Sequence, residues 1–233
     1  MYEMKIRVPY NDIGPDAYMS LSGMINEFQN CSTFHSEDIG FGLRDMLHEH
    51  MGWYLISWQV HMYKKPVYGQ EIIVDTMPYM LKGPFGNRNF VMKSPEGDVF
   101  AEANSMWILM NLKKDIPVRI PKKMQEAFGL DEPLKTDWPD RKIPLWEDRE
   151  KVYDFEVSPM HVDTNGHMNN LYYIEGAIAA LPKDFEPKEM YVEYKMQAKL
   201  KDKVVVAKVK KDDKIQVVLE NSEKEVYAII MFA

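Results

Sequence analysis

Residues 169–182 read Asn-Asn-Leu-Tyr-Tyr-Ile-Glu-Gly-Ala-Ile-Ala-Ala-Leu-Pro. Leu171, Ile174, Ala177, Ile178 and Leu181 recur at helical spacing on one stripe, Glu175 is the only charge, and Pro182 marks the end. A helix this apolar has no face suited to water, so other elements must wrap it. The following residues supply a wrapping. Met190, Val192, Tyr194 and Met196 alternate with Tyr191, Glu193, Lys195 and Gln197, the period of a half-buried strand. Lys211-Asp212-Asp213-Lys214 is a turn joining further strands into a hairpin. The unit reads as one buried helix plus a strongly curved antiparallel sheet.

The same order stands earlier in the chain. A strand at 4–8 leads through Pro9 and Asp12 into a helical stretch at about 18–29, as 153–157 leads through Pro159 and Asp163 into 169–181. Residues 58–75 (WQVHMYKKPVYGQEIIVD) align without a gap on 190–207 (MYVEYKMQAKLKDKVVVA). VMKSPEGDVFAEA from Val91 aligns with VVLENSEKEVYAI from Val218, and Pro95-Glu96-Gly97-Asp98 is a turn between strands. Between the copies, residues 129–149 carry Pro133, Pro139 and Pro144 among charged residues with no apolar period, and read as a linker. Just before it, 121–128 forms a short helix stopped by Gly129. The expected organisation is α+β and duplicated: a first unit at 1–128, the linker at 129–149 and a second unit at 150–233.

Composition narrows the class. Of 233 residues 45% are apolar and 12% aromatic, enough for a core and unlike disorder or a coiled coil. A net charge of −7 argues against a nucleic-acid partner. No apolar run approaches the roughly 20 residues of a membrane helix, and no charged N-terminus precedes an apolar signal segment. The single cysteine, Cys31, builds no disulfide framework. A cytoplasmic protein without a membrane partner is expected. Against the acidic background, Lys113, Lys114, Arg119, Lys122 and Lys123 face only Asp115, either a solvated loop or a dock for an acidic partner. No metal or cofactor is expected. His48-Glu49-His50 lacks the i, i+4 spacing of a zinc helix, and no Gly-rich phosphate cradle or Ser-centred elbow is present. The first-unit loop (Asn11, Asp12, Asp16) has no histidine to match His161 and His167.

The densest polar cluster runs from His161 to Asn170, between the first strand of the second unit and its buried helix. N–H groups at a helix start, here at Asn169 and Asn170, can hold a developing oxyanion. Asn165 can position a water or polarise a carbonyl, and His167 can exchange a proton near neutral pH. Asp163 either orients these groups or serves as a loop acceptor. Caps and Asx turns alone would explain the same composition.

Asp163-Thr164-Asn165-Gly166-His167-Met168-Asn169-Asn170-Leu171-Tyr172-Tyr173 resembles D-x-N-x-H-(V/M)-N-N-x-x-Y, the active-site signature of acyl-acyl-carrier-protein thioesterases of the plant and bacterial tandem hotdog type. The likeness extends to the Lys64-Lys65-Pro66 turn and to Arg119-Ile120-Pro121. It implies two hotdog units in tandem. The acyl chain would lie along the first, whose helical stretch (Tyr18, Met19, Leu21, Met24, Ile25 and Phe28) is rich in soft side chains, although core packing is the plain reading of most of those methionines. The likeness also implies hydrolysis of acyl carrier protein thioesters by direct water attack, with Asp163, Asn165 and His167 catalytic. The family's further carboxylate and cysteine fall on Gln197 and Ala198, which departs from the pattern. Glutamine can hold a water but cannot take its proton, leaving His167 or Asp163 as the base, or a slow enzyme. Glu193 shares a strand face with Gln197, but about 13–14 Å of strand rise separates them. Gly176 stands where the family usually has an aromatic residue, and a wider acyl tunnel is expected beside it. A coenzyme A thioesterase and a non-hydrolytic acyl-binding protein are the competing readings. The duplication already supplies one internal pseudo-dimer, and a homodimer on top of it is compatible with the sequence.

Overall fold

The computed structural model describes residues 1–233, which divide into two compact units: 1–55 with 60–138, and 56–59 with 139–233. In the first unit, strands β1 (Tyr2–Arg7), β2 (Met51–Met62), β3 (Glu71–Lys82), β4 (Phe85–Lys93) and β5 (Val99–Asn111) lie in the order β1-β3-β4-β5-β2, with the short β6 (Ile116–Pro117) on β5. Helices α1 (Leu21–Asp38), α2 (Leu43–His48) and α3 (Lys122–Phe128) accompany them. The second unit holds β7 (Glu150–Glu156), α4 (Asn170–Ile178), β8 (Glu189–Tyr194), β9 (Lys203–Lys211), β10 (Lys214–Glu220) and β11 (Val226–Phe232). Its sheet order is β8-β11-β10-β9-β7. No helix is long and apolar enough to cross a membrane.

Helix α1 runs well past the expected end near residue 29. Asn30-Cys31-Ser32-Thr33 has turn composition, because short polar side chains compete with the helix for backbone partners. Here the competition is settled inside the helix. Ser32 and Thr33 hydroxyls both donate to Gln29 O at 2.8 Å, and Ser36 donates to Ser32 O at 3.0 Å. Packing supplies the rest. Met24, Ile25, Phe28 and Cys31 are almost completely buried, and the Phe28 and Phe90 rings meet at 5.2 Å. Burial pushes the Cys31 thiol up to about 12, so this cysteine is a core residue and no nucleophile.

The start of α1 presses on the loop before it. Ser20 caps the helix by accepting from Gly23 N at 3.0 Å, and a side chain at Gly23 would place its Cβ 2.5 Å from Asp12 O. This close approach buries Asp12 against Glu27, two carboxyls within hydrogen-bonding reach of each other. Burial first, and the Asp12 carboxylate second, raise Glu27 to about 7. Since the unfolded carboxyl titrates near 4.5, the folded chain keeps a proton that the unfolded chain has lost between those values. Stability therefore falls as pH rises through this range and levels off above it. The Glu27→Gln variant is expected to lose this slope and to outlast wild type at pH 8. Calorimetric melting from pH 5 to 8 checks it, and parallel profiles would refute it.

In the second unit, α4 lies against β10 and β11. Tyr173, Ile174, Gly176 and Ala177 are its buried face, while Leu171 and Ile178 are half-buried. The helix is shorter than the expected 169–181: Asn169 is its cap, and 179–181 continue as turns. The space beside Gly176 is not a wider tunnel. A Cβ there would meet Leu219 at 3.4 Å, Tyr153 at 3.5 Å and Phe155 at 3.6 Å, and Tyr153 Oη donates to Gly176 O at 2.6 Å. The absent aromatic ring is replaced by Tyr153 from β7.

Residues 129–149 contain neither helix nor strand, yet they are not slack. Met1 N pairs with Asp131, Leu134 N donates to Asn89 Oδ1 at 3.0 Å, and Thr136 Oγ1 donates to Glu102 at 2.8 Å. Further on, Trp146 N donates to Gln216 Oε1 at 2.8 Å, and Arg149 pairs with the buried Glu220 at 2.9 Å.

Candidate active site

The candidate loop is built by its own turn chemistry. Gly166 takes φ +79°, the left-handed conformation a glycine adopts without penalty. That turn returns the chain so that Asp163 N donates to His167 O at 2.8 Å, and Gly166 N to Asp163 O at 3.1 Å. Asp163 Oδ1 accepts from Asn165 N at 2.8 Å and His167 N at 3.3 Å. The carboxylate thus organises the loop, which matches the Asx reading of this residue. Asn165, His167 and Gln197 are half-buried, and the side-chain amides of Asn165 and Gln197 make no hydrogen bond within the chain. Both amides are open to a water or a substrate.

The helix start is arranged differently from expectation. Asn169 Oδ1 accepts from Leu171 N at 2.9 Å, so this side chain is a cap, and Asn169 N is taken by His161 O at 2.8 Å. Tyr172 N is also engaged, by Asn169 O at 3.0 Å. Asn170 N, the first N–H of α4, is left without an acceptor in the chain. It is the donor the helix dipole favours for an incoming oxyanion.

Gln197 does not lie on a strand. Strand β8 ends at Tyr194 because Lys195 N and Met196 N both turn to Tyr227 O, at 2.8 and 3.2 Å. The chain then leaves the sheet and braces the candidate loop instead. Ala198 O accepts from Met168 N at 2.8 Å, and Lys199 bridges His167. Glu193 is no substitute base. It is buried, accepts from Ile143 N at 2.9 Å, and pairs with Lys195 at 2.8 Å and Arg141 at 3.7 Å. His161 is structural too: Ser158 N donates to its Nδ1 at 3.1 Å, and its ring packs on Tyr172 and Phe155.

Two tyrosines escaped the sequence reading. Tyr173 Oη accepts from Ala198 N at 2.8 Å, and Tyr194 Oη donates to Asn170 O at 3.0 Å. Burial pushes both phenols well up, so each stays protonated. Together they fix the helix start and the Gln197 segment. Tyr173 closes the motif quoted above, but nothing local announces its partner.

The first unit repeats the loop position for position. Gly14 N donates to Tyr18 O at 2.8 Å, Ala17 N to Gly14 O at 3.0 Å, Met19 N to Pro66 O at 2.8 Å and Ser20 N to Asp12 O at 2.8 Å. Ala17 takes φ +62°, as Gly166 takes +79°. The backbone is duplicated and the chemistry is not: Gly14, Asp16 and Tyr18 stand where the second unit has Asp163, Asn165 and His167. The basic segment of the first unit is exposed as expected. Asn111 Oδ1 accepts from Lys113 N and Lys114 N at 3.1 and 2.9 Å, and Lys122 pairs with Glu126 at 3.5 Å.

Buried helices wrapped by antiparallel sheets define a pair of hotdog units, the second with Asp163, Asn165 and His167 on the polar loop at the head of its helix. The models of the acyl-ACP thioesterase N-terminal and C-terminal domains match residues 1–128 and 146–231. The chain belongs to the acyl-ACP thioesterase family. It is 23% identical over 205 residues to an oleoyl-acyl carrier protein thioesterase of Arabidopsis thaliana, covering 78% of this chain and 55% of that protein. A palmitoyl-acyl carrier protein thioesterase of Cuphea hookeriana is 27% identical over 190 residues, covering 74% and 45%. The chain therefore spans about half the length of these curated relatives. Among solved structures, an acyl-ACP thioesterase from Bacteroides thetaiotaomicron superimposes with a TM-score of 0.89 at 19% identity, covering 99% of this chain and 96% of that one. The 12:0-ACP thioesterase from Umbellularia californica gives 0.84 at 18% identity, covering 99% and 95%. These likenesses establish the tandem hotdog fold.

Proposed function

We propose that the chain hydrolyses the thioester joining a fatty acyl group to acyl carrier protein and releases the free acid. The observation that carries this reading is the loop at 163–170, where an imidazole, the open amide of Asn165 and an unengaged helix N–H stand on one turn, braced by the segment that carries the open amide of Gln197. Family membership supplies the substrate class. In the proposed reaction, Asn165 and Gln197 hold a water whose oxygen attacks the thioester carbon while His167 takes its proton. Asn170 N–H holds the oxyanion. The intermediate collapses, the C–S bond breaks, and the leaving thiolate takes the proton from His167. Asp163 keeps the loop in register, and no acyl-enzyme forms.

The first unit is the proposed holder of the acyl chain. The exposed cations Lys113, Lys114, Arg119, Lys122 and Lys123 are proposed to steer an acidic carrier from a distance, an effect that salt would remove. The test is release of free thiol from acyl carrier protein and coenzyme A thioesters of the same chain. Faster release from the carrier is expected. Preference for coenzyme A would favour the alternative hydrolase, and ligand binding without release from either would leave an acyl-binding protein.

A further inference from the structure

The segment leaving β8 reads Lys195-Met196-Gln197-Ala198-Lys199-Leu200-Lys201-Asp202-Lys203. Ala198 is fully buried and ties the segment to the catalytic loop, while both flanks face water. All four lysines are exposed. Lys195 and Lys203 are paired, with Glu193 at 2.8 Å and Asp154 at 3.4 Å, whereas Lys199 and Lys201 make no ion pair. The one acid, Asp202, is turned inward and accepts from Lys199 N at 2.8 Å and Tyr227 Oη at 3.2 Å. A chain of net charge −7 therefore presents a positive rim beside its candidate site.

Apolar side chains stand among these charges. Met196 is 37% exposed, Leu200 46%, and Met160, immediately before His161, 74%. They are three of the five large apolar side chains exposed in the second unit, so the exposure is concentrated around residues 161–169. Lysines around accessible methionine and leucine suit a macromolecular partner that is acidic at its rim and apolar at its centre. A small thioester would need neither.

We infer that the 195–203 loop, together with Met160, is the surface on which an acidic carrier protein docks while it delivers its acyl thioester to the 161–169 loop. The inference rests on the thioesterase reading and names the contact that reading lacks. Leu200 is the apolar anchor. Lys201 supplies charge at the rim, and Lys199 adds to it beside His167.

The test compares wild type with Leu200→Ser and Lys201→Glu on two substrates of one acyl chain, the acyl carrier protein and the uncharged acyl-pantetheine. For the carrier, KM is expected to rise about tenfold in each variant, with kcat and acyl-pantetheine turnover held within about twofold. Raising the salt should narrow the gap for Lys201→Glu and leave it for Leu200→Ser. Parallel losses on both substrates, or no change on either, would overturn the docking surface and leave the hydrolase reading intact. Calorimetric titration with unacylated carrier protein reads the surface without turnover. Equal affinity of wild type and variants there would overturn it even if no substrate were hydrolysed. Equal weakening on anionic lipid vesicles, with carrier binding unchanged, would reassign the patch to a membrane surface.

Discussion

His167→Ala is expected to lower kcat by about 10²–10⁴-fold, the usual contribution of a positioned acid–base group. The backbone bonds of His167, from its N to Asp163 Oδ1 and from Asp163 N to its O, do not need the imidazole. The loop should therefore persist, and melting should stay close to wild type. A fold-neutral loss of this size is what separates chemistry from architecture at this position. The pH–rate profile gives a second readout. The limb that the base contributes to the wild-type profile should be absent from the variant. A variant with unchanged kcat would remove His167 from the reaction.

The second large effect belongs to Asp163, and there the two obvious substitutions should part company. Asp163→Ala removes the oxygen that receives both Asn165 N and His167 N. Hydrogen bonds to a charged acceptor are each worth about 1.5–3 kcal/mol. Once they are gone the turn carrying Asn165 and His167 loses its register, and misplacement by about an ångström costs on the order of 10²-fold in rate. Asp163→Asn keeps an acceptor oxygen at the same place, so activity should remain within about tenfold of wild type. If Asp163→Asn is as inactive as Asp163→Ala, the carboxylate itself takes part in proton transfer. The sequence had left that alternative open, and the two inward N–H bonds argue against it.

Much of the architecture was readable because its determinants are local. The alternation at 190–194, the apolar stripe of α4 and the turn residues around Gly166 each act within a few positions. The repeat was readable for the same reason, since residues 58–75 and 190–207 carry matching periods and matching turns. What failed lay where a distant partner overrode a local preference. Helix α1 continues past Asn30 because distant partners reward its burial: Cys31 Sγ meets Val74 O at 3.3 Å, and the His35 ring packs on Tyr2 and Phe128. Strand β8 stops at Tyr194 because Tyr227 O draws off the next two N–H groups. The placement of Gln197 and Glu193 on one strand face went with it. The expected tunnel beside Gly176 is filled by Tyr153, a residue of β7 that no inspection of the helix could supply.

The sequence by itself determined that one helix-and-sheet unit is written twice, and that the second copy alone carries Asp163, Asn165 and His167 in the loop at its helix start. Those facts are stored in residue type and spacing. Only the tertiary structure decided how the polar groups of the loop are used. It committed Asp163 to two backbone N–H groups and Asn169 to a cap, and it withdrew Glu193 into an ion pair. It left Asn165, Gln197 and Asn170 N open. The physical reason is that buried donors and acceptors must be satisfied. Several of the bonds that brace this loop and retire its rivals, Tyr173 to Ala198, Tyr194 to Asn170, Met168 to Ala198 and Ile143 to Glu193, join residues far apart in the chain and adjacent only in the fold.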